Sequence, residues 1–209
     1  MSKKYEITTQ SIEWKGRKLF RIKAVKSFAD VKVGDLGGYI ENESNLSQNG
    51  TAWVSEDAKV YDTARVYGDA RVFGDAEIYG NANVYDDANV FDKAKVGDQA
   101  NVKECAWMSD NAKIYGDVQV HGNAWVYNSA KIYGSAEVFG DAKVFGNAKV
   151  YDRAKIYGDA WIYGKAEIHD NAMVYDASDV YGNICVCGKS RICGDTVIYD
   201  NAMRGEQSD

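Results

Sequence analysis

The stretch Ala70-Arg71-Val72-Phe73-Gly74-Asp75-Ala76 holds the plan of the chain: small, variable, β-branched, aromatic, glycine, acid, small. From Val54 to Ile198 this hexad recurs 25 times in succession without an insertion or deletion. Its β-branched position, the anchor, is Val or Ile at 24 of the 25 sites, with Met108 the exception. Side chains alternate across a strand, so an inward anchor sends both of its neighbours outward. Two residues after the anchor, 23 of 25 hexads carry Gly, Asp or Asn, which best tolerate left-handed backbone angles; Glu56 and Glu104 are the exceptions. Four after the anchor, 20 of 25 are Ala, small enough for a corner to close. Each hexad therefore reads as a short strand followed by a tight turn. A fixed short period predicts a solenoid, which is nearly all surface and has no ordinary cleft.

The number of hexads per circuit is also written in the sequence. Trp53, Trp107, Trp125 and Trp161 each precede an anchor, at separations of 54, 18 and 36. Lys95, Lys113, Lys131 and Lys149 recur every 18 residues at the same position of other hexads. Three hexads per coil stack like on like. With strands ~4.8 Å apart, roughly nine coils make a rod ~40 Å long.

Composition agrees. Proline is absent from the 209 residues, as long backbone ladders require. The net charge of −6 argues against a nucleic-acid groove. No apolar run reaches membrane length, and Met1-Ser2-Lys3-Lys4-Tyr5 is not an apolar leader. The expectation is a soluble cytoplasmic protein, without membrane contact, whose Cys105, Cys185, Cys187 and Cys193 are reduced thiols.

Residues 1–39 fall outside the hexad and read as an N-terminal β cap, 40–203 as the solenoid, and 204–209 as a short polar tail. Within the cap, Tyr5–Thr9 and Lys18–Ala24 alternate like strands, and Lys15-Gly16 can turn them into a hairpin. Ile40 and Leu46 begin the coils, with a two-residue insertion near Gln48-Asn49-Gly50 before the register becomes uninterrupted. At the C-terminal end Ser178, Ile184, Ser190 and Thr196 replace Ala. That change suggests either a tail folded back or two copies meeting end to end.

The repeat resembles the hexapeptide-repeat family, which implies an all-β fold: a single-stranded left-handed parallel β-helix. Parallel crossovers are ordinarily right-handed, so the left hand comes from the resemblance alone. Phe28, Asp30-Val31-Lys32, Gly34, Gly37-Gly38, Leu46-Ser47-Gln48, Gly50 and Trp53 resemble the lead-in segment of YdcK-type members, over roughly the first quarter of the chain. Those proteins are labelled transferases largely by fold. The resemblance implies an acyl-CoA-dependent activity.

Sorted by the 18-residue coil, the outward residues form three faces. Tyr or Phe follows the anchor in 17 of 25 hexads, giving aromatic ladders. One face sets the lysine row beside Tyr115, Tyr133 and Tyr151. A second carries Arg65, Asn83, Asn101, Gln119 and Glu137. The third gathers Trp53, Arg71, Asn89, Trp107, Trp125, Lys143 and Trp161 beside Phe73, Phe91, Tyr127, Phe145 and Tyr163. Tryptophan with arginine is the residue mix of interface hot spots, so this face is the expected contact with a protein partner or with another copy, in a dimer or trimer.

Chemistry is harder to find. The aromatics lapse at Gly97, Lys103, Ser109 and His121, in the stretch that also holds Cys105, the Met108 anchor, Glu104 at a corner and Val118 in an alanine slot. If the chain is an acyltransferase, His121 is the general base, with Lys103, Gln119 and Asn101 around it and acetyl-CoA or another acyl-CoA as the donor. The chain has no projecting loop of the kind that helps such enzymes hold acyl-CoA. Cys187 lies one coil above His169 and beside Cys185, but Cys193 lies around a corner; convergence of three ligands is not expected, and neither is a metal. Acidic corners such as Asp86-Asp87 and Asp110 read as solvated turns.

The leading reading is a non-enzymatic β-helix scaffold acting through the tryptophan face or the C-terminal end, without a cofactor. Such a rod could be a structural spacer or a bacterial or phage-encoded inhibitor. The alternatives are a YdcK-like acyltransferase and an acidic nucleic-acid mimic.

Overall fold

The computed structural model describes residues 3–200. From Trp53 onward the chain repeats a two-residue strand, a turn and a corner. Strands 18 residues apart pair in parallel: Arg71 with Asn89, Asn89 with Trp107, and Trp107 with Trp125. Backbone donors on both sides of an anchor reach the next coil, Trp107 N–H to the Ala124 carbonyl at 2.9 Å and Ser109 N–H to Val126 at 3.1 Å. Among the described residues the three faces are sheets of eleven, nine and eight strands. The chain is an all-β parallel solenoid of about nine coils, three hexads to each.

Anchors and alanines fill the interior, and from Val54 to Val174 they are completely buried, including Met108 and, in an alanine slot, Val118. Toward the C-terminus the serine and threonine that replace alanine bond within their own turns. Ser190 Oγ donates to the Cys187 carbonyl at 2.7 Å, Thr196 Oγ1 to Cys193 at 2.6 Å, and the buried Ser178 Oγ to Tyr175 at 2.8 Å. A hydroxyl thus takes the alanine position without leaving a buried polar group unpaired. The tail 204–209 lies outside the described residues.

The corners follow a rule that composition did not reveal. Asp62, Asp98, Asp110 and Asp170 adopt positive φ, and each side chain accepts the N–H of the corner residue one coil onward, at 2.8–3.0 Å. Glu56 and Glu104, the two exceptions to the Gly/Asp/Asn pattern, do the same to Gly74 at 2.8 Å and Gly122 at 2.9 Å. These acids are rungs of a corner ladder and not merely solvated turn residues.

At the N-terminus, β1 (Tyr5–Trp14) and β2 (Arg17–Ala24) form an antiparallel hairpin turned at Lys15-Gly16. Strand β3 (Leu36–Ile40) pairs antiparallel with β2 and parallel with Lys59–Val60, joining the hairpin to the face that later carries the lysine row. Ile40 partners Val60 and Leu46 bridges Val66, both 20 residues apart, before the 18-residue pairing begins at Val54 with Val72. Gly37-Gly38 is required where β3 crosses the first coil: a Cβ on Gly37 would sit 2.6 Å from the Val54 carbonyl oxygen, and one on Gly38 2.6 Å from that of Ala58. Buried Lys4 donates to the Ala52 carbonyl at 2.8 Å, and Tyr5 Oη to Leu46 at 2.7 Å, so the hairpin satisfies first-coil carbonyls that have no coil beneath them.

Candidate functional site

The aromatic ladders form as stacks. Tyr127, Phe145, Tyr163 and Tyr181 lie face to face at centroid spacings of 4.8, 4.8 and 4.7 Å. The lapse noticed in the sequence is one whole coil: Gly97, Lys103 and Ser109 occupy the three post-anchor positions of a single circuit, separating a lower set of stacks from an upper one. On the lysine face the gap has a steric reason, since a Cβ on Gly97 would meet the Tyr79 ring at 2.3 Å.

A second relation links rows diagonally. A post-anchor residue meets the pre-anchor residue 16 positions later, on the next coil. Tyr61 Oη donates to Glu77 at 3.0 Å, His121 Nε2 faces Glu137 at 3.3 Å, and His169 Nε2 faces Cys185 Sγ at 3.1 Å. By the same offset Phe91 meets the edge of Trp107 at 5.9 Å and Phe145 that of Trp161 at 6.3 Å.

These relations build the tryptophan face. The register sets Trp53, Arg71, Asn89, Trp107, Trp125, Lys143 and Trp161 on successive rungs. Trp107, Trp125 and Trp161 are 40, 44 and 40 % exposed despite their size. Lys143 lies between two of them, its Nζ 4.4 Å from the Trp161 ring centroid and 5.9 Å from that of Trp125. Among the described residues no carboxylate pairs with Lys143, whereas Lys95, Lys149 and Lys155 each hold a glutamate. Tyr127, Phe145 and Tyr163 form the parallel row; burial and nearby acids push the Tyr127 and Tyr163 hydroxyls above their ordinary pKa.

Trp53 shares the register but not the exposure. It is 4 % exposed, packed edge-on against Phe28 at 5.5 Å and Tyr5 at 6.4 Å. It belongs to the core under the hairpin, and Arg71 beside it is paired with Asp30. The open part of the face therefore runs from Trp107 to Trp161. The 18-residue period could not separate Trp53 from its fellows, because its burial depends on how the cap docks.

On the second face the structure sets Asn101 opposite Gln119 and places His121 under Phe139, ring centroids 5.0 Å apart. His121 is one rung of an aromatic stack. Its Nε2 faces Glu137 at 3.3 Å and its Nδ1 faces Glu104 at 3.8 Å, and Glu137 also accepts from Lys155 at 2.6 Å. Burial raises the Glu137 carboxyl, but the hydrogen bonds from Lys155 and His121 outweigh it and hold the group below the ordinary range. Asn101 is engaged by Asn83 and the Gln99 carbonyl. Among the described residues no hydrogen bond joins Lys103 or Gln119 to His121. The polar partners of His121 are thus Glu104, which lies in the same lapse of the aromatics, and Glu137, whose diagonal approach only the three-dimensional arrangement shows.

One expectation is overturned. Ligand atoms of His169, Cys185 and Cys187 converge to within 4.8 Å of one another, although Cys193 indeed lies elsewhere. The strand carries Cys185 and Cys187 outward on either side of Val186, and His169 approaches from the coil below. All four cysteines are exposed free thiols.

Comparison with known proteins matches residues 64–77 to the YdcK Beta solenoid repeat family. The match falls in the body of the repeat and covers a small part of the chain, which continues the same solenoid on both sides. This fits the resemblance to hexapeptide-repeat, YdcK-like proteins. No curated protein matches the sequence. No described helix is long and apolar enough to cross a membrane.

Proposed function

We propose that the chain is a non-catalytic binding rod whose tryptophan face grips a protein partner, an apolar segment that carries a carboxylate for Lys143. The observation that carries this reading is the line Trp107, Trp125, Lys143 and Trp161, in which three large apolar rings stay about two-fifths exposed and a cation with no acid partner among the described residues lies between two of them. Flat rings held rigid by stacking lose little conformational freedom on binding, and exposed tryptophans are typical anchors of a protein interface. The aromatic ladders lend stiffness, and a reducing cytoplasm suits the unpaired thiols.

The acyl-CoA-dependent alternative has less support. Both nitrogens of His121 are directed at carboxylates of the rod itself, and the recess lined by Glu43, Gln48, Arg65 and Tyr67 does not include it. An acidic nucleic-acid mimic would need a continuous acid row; the acids here are interleaved with lysines on the faces and tied into the corner ladder.

The test is selection of peptides from a random display library on the immobilised full chain. Enrichment of apolar segments containing Asp or Glu that bind the wild type but not Trp125→Ser/Trp161→Ser supports the reading. Peptides that bind both equally overturn it, and a concentration-dependent dimer or trimer lost in the double variant would assign the face to self-association instead.

A further inference from the structure

The cluster on the lysine face near the C-terminal end is independent of the tryptophan face and of His121. His169, Cys185 and Cys187 present one imidazole nitrogen and two thiols within 4.8 Å of one another. The imidazole is oriented from behind. Its Nδ1 lies 3.3 Å from Asp170 Oδ2, and that same oxygen accepts the Gly188 N–H at 2.8 Å. Its ring is clamped flat against Tyr151, centroids 4.7 Å apart and planes 9° from parallel. An Asp170 carboxylate on Nδ1 fixes the tautomer that leaves the Nε2 lone pair free, and Nε2 is the atom facing Cys185 Sγ at 3.1 Å.

We propose that His169, Cys185 and Cys187 form a binding site for a thiophilic divalent cation, Zn²⁺ in the first instance, with Asp170 as the positioning residue. Tetrahedral zinc with Zn–S near 2.3 Å and Zn–N near 2.0 Å needs ligand atoms roughly 3.5–3.8 Å apart, which small rotations of two exposed thiols supply. On binding, each thiol releases its proton to solvent and both sulfurs coordinate as thiolates; the fourth position belongs to water. A disulfide between the same cysteines fits poorly, because residues two apart on a strand have Cα atoms roughly 6.6 Å apart, near the upper limit for such a bond. The ion would tie the coil of His169 to the coil of Cys185, just where alanine gives way to Ile184 and Ser190 in the interior.

The experiment is titration of the reduced full-length chain with Co²⁺. One equivalent should produce thiolate-to-cobalt charge-transfer absorption with tetrahedral d–d bands, and Zn²⁺ should abolish both. Cys185→Ser, Cys187→Ser and His169→Ala should each lose the charge-transfer band or reduce it, with unchanged circular dichroism to show that the solenoid remains. Cys105→Ser and Cys193→Ser should keep it in full. Asp170→Asn, which keeps a side chain suited to the left-handed corner, should weaken affinity roughly 10–100-fold. Absence of the band in the wild type, or its persistence in the Cys185→Ser/Cys187→Ser double variant, overturns the site. In a second readout Zn²⁺ should slow alkylation of Cys185 and Cys187 but not of Cys105 and Cys193, and equal rates at all four would also overturn it.

Discussion

Trp107 and Trp125 stack across successive coils with ring centroids 5.3 Å apart and planes 8° from parallel, yet each leaves about two-fifths of its surface open. A stack of this kind contributes roughly 0.5–1.5 kcal/mol between its members. That rewards the rings for lying against each other but leaves much of their area exposed. The free energy still to be gained lies in covering them.

Substitution should therefore separate the structural from the binding contribution. Trp125→Ser is expected to lower stability by about 1 kcal/mol, measured by urea unfolding. The same change should weaken a selected apolar-acidic peptide by at least roughly 30-fold in calorimetry, as a hot-spot residue does. Lys143→Glu should weaken the same peptide through charge reversal with little effect on folding.

The corner ladder predicts an order of tolerance at Asp98. Its φ is 56° and its Oδ2 accepts the Gly116 N–H at 3.0 Å. Asn keeps both the conformation and the acceptor and should be near neutral. Gly keeps the conformation alone and should cost about 1 kcal/mol. Ala loses the acceptor and strains the backbone, for roughly 2 kcal/mol. Thermal melts of the three variants check the order, and equal losses for Gly and Ala would show that left-handed strain contributes nothing.

Glu77 predicts the acid response. Burial raises its carboxyl, but hydrogen bonds from Lys15, Lys95 and Tyr61 outweigh this and hold it at about 2, below the ordinary 4.5. The folded state therefore binds this proton less readily than the unfolded chain. Its stabilisation is fully present above pH 4.5 and is lost as pH falls toward 2, amounting to about 3 kcal/mol. Glu77→Gln should be less stable at pH 7, and its urea midpoint should change less between pH 5 and pH 2.5 than that of the wild type.

His121 behaves as a stacked rung in the geometry, so His121→Phe should preserve or slightly raise the melting temperature by extending the Phe139–Tyr157 stack. Acetyl-CoA should leave the melting temperature of the wild type unchanged. A stabilisation by acetyl-CoA that disappears in His121→Ala would revive the acyltransferase reading.

Much of the rod was legible because a solenoid is nearly one-dimensional: once Lys95, Lys113 and Lys131 recur every 18 residues, their pairing follows from stacking like on like, and the paired strands agree. The insertion near Gln48-Asn49-Gly50 was visible as a break in that count. The candidate sites were legible only as rows. That Glu137 and Glu104 flank His121, or that Cys185 meets His169, depends on a diagonal offset produced by side-chain lean and corner shape, which a period of 18 does not contain.

By itself the sequence determined the parallel coil, its three faces and the identity of every rung, since hexad and coil length impose them through backbone pairing and the small inward alanines. Only the tertiary structure decided that Trp53 is core while Trp107, Trp125 and Trp161 are surface, because the hairpin that buries Trp53 docks through Tyr5 and Phe28 from outside the repeat. It alone also decided that the acidic corners accept hydrogen bonds from the next coil and that two thiols and an imidazole converge. Both outcomes turn on side-chain direction at fixed backbone register, and no count of residues encodes it.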